Sequence, residues 1–162
     1  MARPQPDRTL SEWSVAYHRW NPSSQPLREA LTTLGNGYFA TRGAAEERDA
    51  SGCHYPATYI AGGYDRRRSR VAERWVENED LVCWPNWLCL SFRPEGGRWL
   101  DLDDLEIVEF RQTLDMRRGL LHRRVVVREH VRETELVSRR IVSMHDPHVG
   151  AIEQRIRPIN WS

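Results

Sequence analysis

The feature that most constrains the fold is a series of short runs in which apolar residues recur at alternate positions. The runs cover residues 87–92, 107–114, 121–127, 136–144 and 152–156. A period of two is typical of half-buried strands. Turn signals separate the runs, as at Arg117-Arg118-Gly119 and Asp146-Pro147. Strands at about ten-residue spacing with turns between them predict a mainly β fold, an antiparallel β-sandwich.

A short helix is expected before these strands. Ser23-Ser24 followed by Pro26 is a helix-start signal. The apolar residues that follow lie at i, i+4 and i+7, on one helical face: Leu27, Leu31 and Leu34. Gly35 is suited to end the helix in a left-handed cap. The pattern predicts one helix near residues 25–34.

Length, charge and cysteine content exclude several classes of protein. The chain has 162 residues, enough for one domain, and its net charge of +1 argues against a nucleic-acid or membrane-surface protein. No apolar stretch has transmembrane length, and the N-terminus lacks a secretion signal. Cys53, Cys83 and Cys89 have no metal-type spacing and predict reduced thiols in the cytoplasm. Residues 1–12 are expected to form a flexible arm and residues 13–162 the sandwich domain.

Four polar motifs have both a chemical and a structural interpretation, and the structural one is favoured for each. The segment His145-Asp146-Pro147-His148 is interpreted as a surface turn rather than a metal site, because proline turns splay their flanks. Gly35-Asn36-Gly37 lacks the third glycine of a dinucleotide-binding loop. The acidic group Asp101, Asp103, Asp104 and Glu106 lacks calcium-loop spacing and predicts a solvated loop. The run Arg66-Arg67-Arg68-Ser69-Arg70 also predicts a solvated loop, with a polyanion-binding patch as the weaker alternative.

These residues therefore indicate no metal, no cofactor and no catalytic group in this chain. Seven tryptophans leave another kind of site open. Indole faces stack on sugar rings, although they also fill sandwich cores.

Five ordered blocks of sequence resemble the N-terminal domain of glycoside hydrolase family 65, the maltose, trehalose and kojibiose phosphorylases. The blocks are residues 34–43 with Glu46-Glu47, residues 54–64, Pro85-Asn86-Trp87-Leu88, residues 114–121, and Arg139 with Ser143-Met144 and the closing Asn160-Trp161-Ser162. The resemblance extends from about Trp13 to the end of the chain. One departure lies at residues 129–133, where the family's glycine turn is absent and a longer or less tight hairpin is expected.

The resemblance implies a galactose-mutarotase-like supersandwich, incomplete here, that packs on a catalytic (α/α)₆ barrel. In the whole enzyme a barrel glutamate is the general acid, and inorganic phosphate is the co-substrate that converts an α-glucoside to β-glucose 1-phosphate; some members hydrolyse instead. The implied role of this domain is non-catalytic, in barrel packing, homo-oligomer formation and substrate access. The chain alone is expected to be inactive. Because the family sandwich continues beyond Ser162, we expect uncovered sheet edges, and hence self-association or dependence on a further segment.

Asn36, Tyr38, Arg42 and Trp87 are the candidate substrate-binding residues for a disaccharide. A structural interpretation of the first three is favoured, in which a buried Arg42 pairs with Glu46 or Glu47. The alternative function is a free-standing carbohydrate-binding module with Trp87 or Trp84 as its platform. That module binds sugar on its own, whereas a scaffold domain binds little or none.

Overall fold

The computed structural model describes residues 7–162, which form mostly antiparallel strands and one short helix, as predicted. The elements are β1 (Arg8–Ser11), β2 (Ser14–Tyr17), a 3₁₀ turn (Pro22–Ser24), α1 (Gln25–Leu31), β3 (Leu34–Gly35), β4 (Phe39–Thr41), β5 (Thr58–Ile60), β6 (Tyr64–Val71), β7 (Arg74–Leu81), β8 (Glu106–Asp115), β9 (Leu120–Glu129), β10 (Arg132–Val142) and β11 (Gly150–Pro158). No helix in this part of the chain has both the length and the apolarity to cross a membrane.

The strands form three antiparallel sheets. The large sheet has the order β1-β2-β8-β9-β10-β11, β3-β4-β5 form a small sheet, and β6-β7 form a two-stranded ribbon. Strand β1 pairs with β2 along its whole length, which corrects the prediction of an arm at residues 8–11. The first six residues of that predicted arm lie outside the described residues.

The turn between β9 and β10 is shorter than expected. Glu129 pairs directly with Arg132, so only two residues form the turn. His130 there has a φ of 55°, the left-handed conformation that glycine usually supplies. The absence of glycine therefore did not lengthen this hairpin.

The helix is present, but the prediction is wrong about the residue at which it ends and about which of its faces is buried. Helix α1 ends at Leu31, and Leu34 lies in β3, where Gly35 has no left-handed φ. Leu27 and Leu31 are exposed, whereas the buried residues of the helix are polar: Gln25, Arg28 and Glu29. The reason is that the fold provides charged and hydrogen-bonding partners for this polar face, as described below.

Residues 87–92 are irregular and form no strand, contrary to the alternating pattern. Side chains and loop backbone hold this segment instead. The Asn86 side chain donates to the Arg48 carbonyl and accepts from the Leu88 amide, at 3.3 and 3.0 Å. The Leu90 amide donates to the Glu46 carbonyl at 2.9 Å. Leu88 is buried while Leu90 stays exposed, so this segment does not bury one continuous alternating face.

One face of the large sheet, here the inner face, is covered by α1, the small sheet and the irregular segment up to β8. Two apolar clusters lie on it. The larger contains Tyr17, Leu100, Leu102, Phe110, Val125, Val127 and Leu136, and the smaller contains Leu34, Leu114, Leu121 and Val142. Buried polar side chains of the large sheet (Gln112, Arg123 and Arg140) accompany these apolar clusters.

The loop after β4 brings two carboxylates to these arginines and forms the ion cluster of Glu46, Glu47, Arg123 and Arg140. Arg123 donates two parallel hydrogen bonds to Glu47, at 2.7 and 2.6 Å, and its Nη2 lies 2.6 Å from Glu46 Oε2. Arg140 donates to Glu46 Oε1 at 2.8 Å and to the Ala44 carbonyl at 2.7 Å. Four charges are thereby paired in a buried site, which is the condition under which buried charges are tolerated.

The two glutamates thus form buried ion pairs, as the structural interpretation predicts, but Arg42 is not the cation. Glu46 and Glu47 pair with Arg123 and Arg140, not with Arg42. Sequence reasoning missed these cations because they lie on strands β9 and β10, far along the chain.

A second buried polar network holds α1 against the loop that precedes β8. Glu29 Oε1 lies 2.8 Å from His54 Nδ1, and His54 Nε2 lies 3.3 Å from Asp103 Oδ2. The Arg48 guanidinium contacts both Asp101 and Asp103. The segment is a solvated loop as predicted, since Asp103 and Asp104 are exposed, but Arg48 also pairs with Asp101 and Asp103 at the edge of the core.

Charge pairing controls the ionisation of the ion cluster. Burial alone opposes the charge on Glu46, but Arg123 and Arg140 outweigh burial and lower the pKa of Glu46 from 4.5 to about 2. Burial likewise opposes the charge on Arg123, but Glu46 and Glu47 raise its pKa above the ordinary value. The ionised Glu46 therefore stabilises the folded state at pH values above 4.5.

We predict that Glu46→Gln removes a pH-dependent part of the stability. At about 1.4 kcal/mol per pKa unit, the lowered pKa corresponds to about 3 kcal/mol in the free energy of unfolding. Because the folded-state pKa is depressed, this stabilisation is present above pH 4.5 and is lost as the pH falls towards 2. Urea unfolding of both proteins between pH 7 and pH 2.5 should show a difference that shrinks on acidification.

Glu153→Gln is the control, since Glu153 is exposed on β11 and pairs with Arg155. Its substitution should cost much less, with little change over the same pH range. A pH-independent difference between wild type and Glu46→Gln would contradict the account of the ion cluster.

Candidate functional site

Two of the four candidate residues meet in a cleft of about 310 Å³ between the small sheet and the β10–β11 turn. This aromatic cleft is lined by Tyr38, Phe39, Thr58, Ile60, Trp87, His148 and Gly150. Phe39 and Ile60 are direct partners across β4 and β5, so both side chains lie on one face of the small sheet. Trp87 comes from the irregular segment after β7, and Tyr38 precedes β4.

The tyrosine and tryptophan faces are partly open to solvent. Tyr38 is 39% exposed and Trp87 is 36% exposed. The Tyr38 ring meets the His148 imidazole edge to face, with ring centroids 4.4 Å apart. An open aromatic wall with a histidine at its rim can contact the C–H face of a sugar ring.

Asn36 lies beside the cleft, but its side-chain amide forms hydrogen bonds with other residues of the same chain. Its amide nitrogen donates to the carbonyls of Ser143 and Pro147, at 2.7 and 3.0 Å. Its amide oxygen accepts from the main-chain N–H groups of Tyr38 and Phe39. Asn36 thus ties the β3–β4 turn to the β10–β11 turn, and this tie brings Tyr38 to His148.

Arg42 lies outside the cleft and contacts α1. Its Nη2 donates to the Pro26 carbonyl at 2.9 Å and lies 4.0 Å from Glu29 Oε2. Its guanidinium also lies over the Tyr55 ring, 5.4 Å from the centroid. The structure therefore brings Tyr38 and Trp87 together and gives Asn36 and Arg42 protein partners.

Trp87 is held in the cleft by a close approach to Gly150, the first residue of β11. A Cβ atom at Gly150 would lie 2.9 Å from Trp87 Cη2 and 3.2 Å from Phe39 Cζ. Carbon atoms do not approach this closely, so only glycine lets the indole lie against the strand. Sequence reasoning did not single out Gly150, since no turn signal marks it.

The side chains that line the cleft can support few kinds of chemistry. Its lining contains no carboxylate, and its polar side chains are Tyr38, Thr58 and His148. Within residues 7–162, no three His, Cys, Asp or Glu side chains are grouped to hold a metal ion. The segment 145–148 forms an exposed turn, as predicted. The arrangement suits apolar stacking with one or two hydrogen bonds, and it lacks the acid and base of a glycosidase site.

The comparisons with known proteins agree with this fold. The family model described as "Glycosyl hydrolase family 65, N-terminal domain" matches residues 15–162. The chain is 42% identical over 151 residues to an uncharacterized glycosyl hydrolase of Mycobacterium tuberculosis, covering 93% of this chain and 11% of that protein. It is 35% identical over 152 residues to a kojibiose phosphorylase of Caldanaerobacter subterraneus subsp. tengcongensis, covering 93% of this chain and 18% of that protein.

A solved structure described as a putative kojibiose phosphorylase from human microbiome has the same fold, with a TM-score of 0.84 at 17% identity. The match covers 98% of this chain and 21% of that one. This chain belongs to glycosyl hydrolase family 65 and corresponds to the N-terminal domain of its enzymes. It spans less than a fifth of the length of these two curated relatives.

We predict that Gly150→Ala displaces the Trp87 indole. Overpacking of this kind costs about 1–3 kcal/mol in the free energy of unfolding. Most of the loss should disappear when Gly150→Ala is introduced into the Trp87→Ala protein, because the closest atoms, those of the indole, are then gone and only the approach to Phe39 Cζ remains. Urea unfolding of the two single variants and the double variant measures this coupling.

The backbone of Gly150 lies outside the left-handed region, so the added methyl group strains contacts rather than φ. An equal cost of Gly150→Ala with and without the indole would show that Trp87 does not occupy this position.

Proposed function

We propose that this chain is the non-catalytic N-terminal domain of a family 65 phosphorylase or hydrolase that acts on an α-glucosidic disaccharide of the maltose, trehalose or kojibiose type. Its role is to pack on the catalytic (α/α)₆ barrel of the same enzyme and to shape access of the substrate. Inorganic phosphate is the co-substrate of the whole enzyme in the phosphorylase case. The names of its relatives support this substrate class.

The observation that carries the scaffold role is the incomplete cover of β11. Leu136 on β10 is 1% exposed, whereas Ile156, its direct partner on β11, is 39% exposed. Both side chains lie on the inner face, so the covering layer stops between these two strands. Ile152 lies on the same face and is only partly buried. A partly covered apolar row is the surface that a further segment covers.

The partner that fits this surface is another part of the same polypeptide. The kojibiose phosphorylase relative continues far beyond the matched region, since the match covers only 18% of it. The outer edge of β11 pairs with no described strand, so a further strand can add there as well.

Homo-oligomer formation and a cytoplasmic location belong to the same proposal. Self-association is supported by the exposed apolar side chains of α1, Leu27 and Leu31. The cytoplasmic location is supported by the free thiols of Cys53, Cys83 and Cys89.

The aromatic cleft favours one alternative, a free-standing carbohydrate-binding module. Tyr38 and Trp87 form a partly exposed aromatic wall there. The scaffold role ranks first because the cleft has few polar groups with which to orient a sugar.

We predict that the chain alone releases no glucose 1-phosphate from maltose, trehalose or kojibiose with phosphate, because the lining of the aromatic cleft contains no carboxylate to act as acid or base. We also expect little or no change of tryptophan fluorescence when these sugars are titrated with and without phosphate. Both measurements require a chain that circular dichroism shows to be folded.

Trp87→Ala and Trp99→Ala provide the comparison, since Trp99 is exposed and lies outside the cleft. Saturable quenching that Trp87→Ala abolishes and Trp99→Ala preserves would favour the binding module. Turnover by the folded chain would contradict the non-catalytic role.

A further inference from the structure

The β6–β7 ribbon makes few contacts with the other strands and the helix of the described residues. All residues of both eight-residue strands are exposed, and no other strand pairs with either edge within residues 7–162. The predicted solvated loop at residues 66–70 is in fact part of a strand. Eight residues of strand extend about 27 Å, and an isolated two-stranded hairpin is only marginally stable in water. A ribbon of this kind is typically completed by a partner.

One face of the ribbon has an ordered set of cross-strand pairs. We call this the ribbon face, and its pairs are Tyr64 with Leu81, Arg66 with Glu79, Arg68 with Glu77, and Arg70 with Trp75. Arg66 Nε lies 2.9 Å from Glu79 Oε2, and Arg68 Nε lies 3.0 Å from Glu77 Oε2. Trp75 is 72% exposed at the far end. The arginines lie on β6 and the glutamates on β7.

This division makes the ribbon face complementary to a second copy of itself. When two such faces stack about a two-fold axis parallel to the strands, β6 of one copy lies over β7 of the other. Each residue then lies over the copy of its own cross-strand partner. Arg66 and Arg68 face Glu79 and Glu77 of the other copy, and Arg70 faces its Trp75, a favourable cation–π pair.

Other symmetric arrangements place like charges together. A two-fold axis across the strands puts β6 over β6, so Arg66 faces Arg68 of the other copy. Edge-to-edge pairing brings the same arginines, or Glu77 and Glu79, side by side. Stacking through the opposite face puts Asp65 over Asp80, which are direct partners in the ribbon. Like charges that face each other at an interface are unfavourable.

We propose that two copies of this chain associate through their ribbon faces about a two-fold axis parallel to β6 and β7. This inference rests on the proposed homo-oligomer and names its contact. The ribbon face covers roughly 270 Å² per copy from its length and a width of about 10 Å, about a third of a standard interface. The contact of the ribbons alone is therefore weak and sensitive to salt.

Charge exchange tests this arrangement. The double variant Arg66→Glu/Arg68→Glu makes the ribbon face acidic, and Glu77→Arg/Glu79→Arg makes it basic. In sedimentation experiments at low salt, each should self-associate at least about tenfold more weakly than the wild type. A mixture of the two double variants should recover the association, because an acidic face then meets a basic one.

The quadruple variant Arg66→Glu/Arg68→Glu/Glu77→Arg/Glu79→Arg controls for ribbon folding, since it keeps the cross-strand charge pairs within each chain. It should self-associate like the wild type.

The outcomes distinguish the proposed homo-oligomer from the proposed contact through the ribbon face. A wild type that remains monomeric at all concentrations overturns both the homo-oligomer and the ribbon contact for this chain. Self-association that survives the double substitutions, or that does not return when the two double variants are mixed, overturns the ribbon contact and leaves the homo-oligomer standing.

Discussion

The fold depends on the pairing of two arginines inside the large sheet with two glutamates from a loop. Arg123 and Arg140 occupy inner-face positions on β9 and β10, where they are almost completely buried. Their buried positive charges need anions beside them, so the loop that contains Glu46 and Glu47 packs against the inner face of the sheet. That position fixes the neighbouring backbone: Arg140 also holds the Ala44 carbonyl, and Gln112 holds the Gly43 carbonyl. Gly43 has no room for a Cβ, which would lie 1.9 Å from the Thr32 hydroxyl oxygen. The end of α1 is thereby packed against the loop.

This arrangement gives the most conspicuous sequence motif a structural role. Residues 34–47 contain the glycines, the asparagine and the carboxylates that suggest a ligand site, yet these groups bind other parts of the same chain. The aromatic cleft lies at the edge of this motif, where Asn36 joins two turns and leaves Tyr38 at the surface. An exposed aromatic wall can contact a substrate or another domain when the residues behind it hold it rigidly, as Asn36 does here.

The surfaces that the domain leaves open have different chemistry. The inner face of β11 is apolar and half-covered, which suits a permanent partner within the same enzyme. The ribbon face carries arginines on β6 and glutamates on β7, which suits a weaker contact between copies.

The sequence alone determined the antiparallel strands β8 to β11, because a period of two forces one side of each strand inward, and it determined the family through its ordered blocks. It also pointed to Tyr38 through the block at residues 34–43, and to Trp87 because indole faces stack on sugar rings. It could not show that α1 buries Glu29 rather than Leu27, or that Arg123 and Arg140 hold Glu46 and Glu47. Those outcomes depend on contacts between residues up to 94 positions apart. Only the tertiary structure decided them, because a buried charge selects whichever opposite charge the sheet register brings within hydrogen-bond distance.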